Sequence, residues 1–383
     1  MNPNVSTLKP RILVAPLDWG LGHATRCIPI IHQLINNNCE VLLAAEGKIK
    51  SLLEAEFPHP LFLELKGYNI QFGKTGWEVF GKLLLQIPKI IEAIDEEHNW
   101  LNNVVDEYEI DAVISDNRYG LFNERIYSVF ITHQLLIKTS LGNAADKLFQ
   151  KLNYEYVNAY NECWVPDVEE ENNLSGDLSH PEKMPDIPVH YIGALSRFID
   201  NDEKKSEDHL LIMLSGPEPQ RTILEDQLLE QLKQYKKQVF FVRGLPGNTD
   251  LPTVSENVIT KNHLPAAELQ QAIISASFIV SRCGYSTIMD IMSLKKRSIL
   301  IPTPGQTEQE YLADHLMHGN LALCIPQSKF KLLNALQLAD SFNYKFGQFK
   351  KEQDLKRIIE ELLNTLKQKQ AEKKYKPEHS SNL

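Results

Sequence analysis

At 383 residues the chain exceeds what one ordinary hydrophobic core serves, so two domains are expected. Hydrophobic residues make up 43% and charged residues 23%, a globular composition, and the formal net charge of −10 disfavours general binding to nucleic acid, whose phosphates attract clustered cations. Five scattered cysteines, Cys27, Cys39, Cys163, Cys283 and Cys324, form no CxxC or Cys/His spacing and suit reduced thiols in a cytoplasmic protein. The polar N-terminus leads directly into a strand, so no secretory signal is expected, and no apolar run approaches the ~20 residues that span a bilayer. Any membrane contact is therefore expected to be peripheral, on the inner face.

Residues 11–17 (RILVAPL) form a first strand, apolar enough to be buried on both faces. The loop Asp18-Trp19-Gly20-Leu21-Gly22-His23-Ala24-Thr25-Arg26 follows, then a helix to about Leu34. Proline is tolerated only in a first turn, so Pro29 places the helix start near Arg26. Strands at 40–45 and 61–65 continue a strand-helix-strand rhythm, that of a parallel sheet with right-handed crossovers. Residues 77–91 are rich in apolar side chains and interrupted by Pro88. They read either as a helix packed on the core or as a partly exposed surface that meets lipid or a hydrophobic acceptor. Strands at 111–115 and 127–132 end in Asp116 and in His133-Gln134, polar groups at the sheet edge where open α/β folds bind ligands. Strands at 163–166 and 189–194 complete a first domain over 1–195.

Residues 196–209 are charged and aperiodic, a linker. Its Asp200-Asn201-Asp202 has the look of a metal-binding DxD but reads as a solvated turn, and no metal is expected. A second domain over 210–353 repeats the rhythm, with strands at 210–214, 238–242, 258–261, 278–281, 298–301 and 322–325 and an amphipathic helix at 223–235. A final amphipathic helix at 354–366 precedes a lysine-rich tail, 367–383, expected to be disordered.

The stretch Arg282-Cys283-Gly284-Tyr285-Ser286-Thr287 joins a buried strand to a helix through one glycine. By itself this is an ordinary connection. Placed at the carboxyl edge of a parallel sheet, its backbone N–H groups and helix dipole favour an anion such as a phosphate. Asp290, about one turn in, would lie near whatever that phosphate carries.

Taken together, GLGHATR, SRCGYSTIMDI and Gln306-Thr307-Glu308-Gln309-Glu310-Tyr311 resemble the GT-B glycosyltransferases, in particular the MurG-like UDP-N-acetylglucosaminyltransferases. The resemblance implies two Rossmann-like doubly wound domains facing across a cleft, an acceptor domain first and a nucleotide-sugar domain second, with inversion and no cofactor beyond the UDP-sugar co-substrate. It implies backbone donors to the diphosphate from Gly284, Tyr285 and Ser286, a ribose contact at Asp290, and a uracil contact at the backbone of His263. Arg282 and Gly22 would serve the same pocket, and Gln309 would read the sugar hydroxyls, with Glu310 standing where the family has a second glutamine. After the first strand of the second domain the chain has Ser215-Gly216-Pro217-Glu218-Pro219-Gln220-Arg221 in place of a glycine-rich loop. Each proline removes an N–H, which leaves Ser215 and Gly216, with Arg221 as a further cation.

For the base, His23 is expected, since an imidazole titrates near neutrality. Asp116 resembles the aspartate that pairs with such a histidine, and Asp18 competes for the role. Asp18, Trp19, His133 and Gln134 would face a saccharide or lipid-linked acceptor. A UDP-sugar hydrolase or epimerase, and a non-catalytic nucleotide-sugar-binding protein, are the rival readings.

Overall fold

The computed structural model describes residues 9–68, 76–198, 209–349 and 352–375, with side chains left out at 76–85 and 373–375. The first domain contains β1 (Arg11–Pro16), α1 (Leu21–Asn36), β2 (Glu40–Ala44), α2 (Gly47–Glu56), β3 (Leu61–Leu63), α3 (Gly76–Tyr108), β4 (Ala112–Asp116), β5 (Tyr127–Ile131), α4 (Asn143–Val157), β6 (Glu162–Val165) and β7 (Val189–Tyr191). The second contains β8 (His209–Met213), α5 (Gln220–Leu232), β9 (Gln238–Val242), β10 (Val258–Lys261), α6 (Ala266–Ser275), β11 (Phe278–Arg282), α7 (Tyr285–Ser293), β12 (Ser298–Ile301), α8 (Thr307–His318), β13 (Leu323–Cys324) and α9 (Leu332–Ser341), and α10 (Glu352–Tyr375) ends the chain.

Both sheets are parallel and doubly wound. The first runs β3-β2-β1-β4-β5-β6-β7 and the second β10-β9-β8-β11-β12-β13, so strand order reverses beside β1 in one and beside β8 in the other. The central strands carry helices on both faces and are apolar throughout: Ile12, Leu13, Val14 and Ala15 of β1 are wholly buried, as are Leu211 and Ile212 of β8. Loops leaving the carboxyl ends of β1 and β4, and of β8 and β11, lie at the two switch points, where such folds open a crevice.

Two expectations are corrected here. Helix α1 begins at Leu21 and carries Pro29 in its interior. Proline forfeits one backbone bond, and the buried face Ala24, Cys27, Ile28, Ile31 and Leu34 outweighs that loss, so His23 stands in the first turn of a helix instead of in the loop before it. Residues 367–375 continue α10 rather than starting a tail, because the segment holds no glycine or proline and docks. Leu355, Ile358, Ile359, Leu362, Leu363 and Leu366 are buried in the same apolar cluster as α1, Gln370 Nε2 donates to Asp111 Oδ1 at 3.0 Å, and Lys369 Nζ lies 5.0 Å from the Tyr127 ring centre. The last helix thus packs back on the first domain. Residues 376–383 and the DxD at 200–202 lie outside the described residues. The apolar stretch 77–91 is helical as part of α3, and beyond its undescribed side chains Ile87 and Ile91 are 37% and 45% exposed.

The loop after β4 is fixed by a buried ion pair. Arg118 donates to Glu97 Oε1 at 2.7 Å, to the Pro16 carbonyl at 2.9 Å and to the Lys66 carbonyl at 3.0 Å, tying the ends of β1 and β4 to α3. Tyr68 Oη and Gly120 N complete the shell of Glu97 at 2.8 and 3.1 Å. Removing one partner of such a pair strands the other in a dry interior. Arg118→Met is expected to lower the unfolding free energy by about 3–5 kcal/mol. Urea unfolding measures it, and a loss below about 1 kcal/mol would show that Glu97 protonates or rehydrates at little cost.

Candidate functional site

The two switch points meet. Ser286 Oγ, in the first turn of α7, donates to the Gly22 carbonyl at 2.9 Å, and a Cβ on Gly22 would lie 2.6 Å from that hydroxyl oxygen. Glycine is needed there because the helix ends approach too closely for a side chain. Neither α1 nor α7 has a side-chain cap, and the amides of Tyr285 and Ser286 have no acceptor among the described residues. Nothing lies within 4 Å of where a Cβ on Gly284 would stand. An uncapped helix start beside open space leaves amides that favour an anion.

On the first-domain side, Asp116 is fully buried at the end of β4. Arg26, one turn beyond His23, takes both of its oxygens, through Nε to Oδ2 at 2.8 Å and through Nη2 to Oδ1. His23 Nδ1 lies 3.3 Å from Asp116 Oδ2 and 3.0 Å from Arg26 Nη2. The expected His–Asp pair is present, with a guanidinium inserted into it. Burial and then the Arg26 charge push the His23 pKa below the ordinary imidazole value, against the pull of Asp116. Although burial alone would raise the Asp116 pKa, Arg26 and then His23 hold it far below the carboxylate range.

The network crosses to the second domain. Arg26 Nη1 lies 3.2 Å from His133 Nδ1, and His133 Nε2 lies 2.8 Å from Glu308 Oε1 at the start of α8. The His133 ring stacks on Tyr285 at 4.0 Å between centres and 2° between planes. Burial would raise the Glu308 pKa, but the His133 bond overrides it and the group is lowered. Sequence reading passed over Arg26 and Glu308. Arg26 carries a signal in retrospect, since i and i+3 share a helix face. Glu308 carries none, because its partner is 175 positions away.

Other expected residues fall into two groups. Ser215 and Gly216 are exposed on the loop after β8, with Gly216 at φ 102, and His263 is exposed after β10 near Arg197. Gln134 sits beside His133, its Nε2 3.5 Å from the ring. Several others are committed to structure. Asp18 Oδ1 accepts from Tyr68 N at 3.1 Å, and its carboxylate covers Gly67, so it braces a loop and is poorly placed as a base. Trp19, 40% exposed, meets the Tyr68 ring edge-on. Gln309 accepts from Thr303 N at 2.9 Å and donates to Gln306 Oε1 at 2.5 Å, and Glu310 Oε1 accepts from Gly305 N at 2.9 Å. Tyr285 Oη donates to the Pro166 carbonyl at 2.9 Å, and Asp290 Oδ1 accepts from Ser196 Oγ at 2.7 Å.

Two arginines change role. Arg221 is not a phosphate cation: it is bound to Glu225 and, at 2.6 Å, to Glu218, whose carboxylate also accepts from Thr222 N and so occupies the start of α5. Arg282 is buried beneath the site, donating to Gln327 Oε1 at 2.8 Å and the Gln220 carbonyl at 2.6 Å, and burial lowers its pKa to about 10.

Because the folded pKa of Asp116 is depressed, its ion pair stabilises fully above the unfolded value, about pH 4, and the contribution is lost as pH falls through the folded value. Asp116→Asn is expected to cost about 3–5 kcal/mol at pH 7, unchanged to about pH 5, with the difference shrinking only below about pH 4. Denaturation series of both proteins across pH measure this.

Residues 220–362 match the Glycosyltransferase family 28 C-terminal domain. No curated protein sequence matches the chain. Among solved structures, the fold is similar to that of the glycotransferase of kitacinnamycin, at 13% identity over 94% of this chain and 99% of that one, with a TM-score of 0.64. SnogD of Streptomyces nogalater is 14% identical over 94% and 100%, with a TM-score of 0.57. A UDP-glucosyltransferase from Polygonum tinctorium is 12% identical over 92% and 94%, with a TM-score of 0.61. With the family 28 domain in its second half and two doubly wound domains in the GT-B arrangement, the chain is a glycosyltransferase of the GT-B type.

Proposed function

We propose that the enzyme transfers a sugar from a UDP-sugar, UDP-N-acetylglucosamine being the first to test, to a hydroxyl of a lipid-linked or cell-envelope saccharide, with inversion and without a metal. The observation that carries this reading is the meeting of two uncapped helix starts, α7 beside open space at Gly284 and α1 bearing His23. MurG-like specificity rests on the motifs alone. Uridine as the base is supported by those motifs and by the activity named for the Polygonum protein.

In this reading the diphosphate rests on the amides of Gly284, Tyr285 and Ser286, with Ser215 and Gly216 beside it. Asp290 exchanges its Ser196 contact for the ribose hydroxyls, and the backbone of His263 meets the uracil. Gln309 and Glu310 shape the sugar end by holding the loop at 303–306. His23 Nε2 takes the acceptor proton as that oxygen attacks C1 from the face opposite the diphosphate. The C1–O bond to UDP breaks, and its electron pair goes to the β-phosphate oxygen, where the helix start stabilises the charge. The exposure of Ile87 and Ile91 on α3 supports reading that side as the one where an acceptor's lipid approaches, in peripheral contact with the membrane's inner face.

A panel of UDP-sugars scored by thermal stabilisation is expected to single out one donor, because a bound ligand raises apparent stability with its affinity. UDP release at the same rate with no acceptor added would turn the reading to hydrolysis. His23→Ala is expected to lower kcat by about 10²–10⁴-fold with donor affinity unchanged. Activity that survives this change would make Nε2 irrelevant to the chemistry. Since the His23 pKa is lowered, the acid limb of kcat/KM is expected below pH 6.5, the ordinary imidazole value.

A further inference from the structure

An arginine offers five N–H donors and no acceptor, so an imidazole nitrogen that takes a hydrogen bond from it presents its lone pair. Arg26 makes two such approaches, to His133 Nδ1 at 3.2 Å and to His23 Nδ1 at 3.0 Å. For His133 the assignment closes well, because the hydrogen is then on Nε2, 2.8 Å from Glu308 Oε1. For His23 it has a consequence. Its hydrogen sits on Nε2, the nitrogen that must be bare to accept a proton from a hydroxyl. The base-competent form needs the reverse arrangement, with Nδ1–H donated to Asp116 Oδ2, now 3.3 Å away. Both oxygens of Asp116 are meanwhile engaged by Arg26.

We propose that Arg26 is a positioning residue that fixes the tautomer of His23, keeping the hydrogen on Nε2 until its bond to Nδ1 is exchanged for the one from Asp116. The exchange arms the base, and to that extent the inference rests on the proposed function. The distances make it a short slide of the guanidinium along the carboxylate, in the direction of His133. The charged or titratable groups around His23 are Arg26 and Cys27 from α1, Asp116 from β4, His133 after β5, Tyr285 from α7 and Glu308 from α8. Arg26 is the cation among them that touches Nδ1. Glu308 comes from the second domain, so that domain touches the same guanidinium through His133.

The test is long-range ¹H–¹⁵N correlation of the histidine rings in the full, ligand-free protein, with His23 assigned by its disappearance in His23→Gln. The expected wild-type pattern has hydrogen on Nε2 of His23 at neutral pH. Hydrogen on Nδ1 would overturn the proposal without recourse to any variant. Arg26→Lys keeps the charge but loses the fork, and it is expected to move the hydrogen to Nδ1. It should also carry the acid limb of kcat/KM upward by about 1 pH unit, because the imidazolium gains the carboxylate, while donor KM is unchanged. An unshifted limb with the wild-type tautomer would reduce Arg26 to a structural ion pair. The spectra need no substrate, so an Nε2–H tautomer in a protein with no transferase activity would remove the proposed function and leave the tautomer assignment standing.

Discussion

The Arg26–Asp116 ion pair is the contact on which the site depends. Both groups are buried at the reversal point of the first sheet, one on the helix after β1 and the other at the end of β4. Burying either alone would be prohibitive, so each requires the other. The consequence is geometric. With Arg26 held, His23 one turn before it is aimed at the crevice, and His133 is drawn to the far side of the same guanidinium.

The contact between the domains grows out of this pair. His133 stacks on Tyr285 and reaches Glu308, and Ser286 bonds to the backbone of Gly22, so each strand-to-helix turn is braced by the opposite domain. The starts of α1 and α7 thus meet directly, with open space beside Gly284. Electrostatic stabilisation of an anion is stronger at a partly enclosed helix start than in open solvent. The polar groups at the rim are used for bracing: Asp18, Gln309, Glu310 and Glu218 hold their own loops in shape. A bracing role limits what a residue can also do for a ligand.

The thirteen described strands lie where the apolar runs place them, because a parallel strand covered on both faces must be apolar along its length. The glycine turn at Gly284 was equally legible, since a strand that gives way to helical spacing through one glycine has few other shapes available. Pro29 misled because a local rule met a packing interface worth more than one backbone bond. The final helix was readable as amphipathic, yet its apolar face does not name its partner. That partner proved to be the first domain, reached by a second crossing beside Phe349, whose carbonyl accepts from Ala194 N at 2.8 Å.

By itself, then, the order of residues determined the two-domain α/β architecture, the strand-to-helix turn at Gly284 and the presence of His23 and Asp116 near carboxyl edges. These features come from periodicity and turn chemistry, which act over a few residues. Only the tertiary structure decided that Arg26 stands between that histidine and that aspartate, that Glu308 rather than Gln309 reaches across the gap, and that Arg221 is bound to glutamates. Each of these is a choice among polar partners that local pattern does not rank. Such choices are made by which side chains the packed sheets leave within reach of one another.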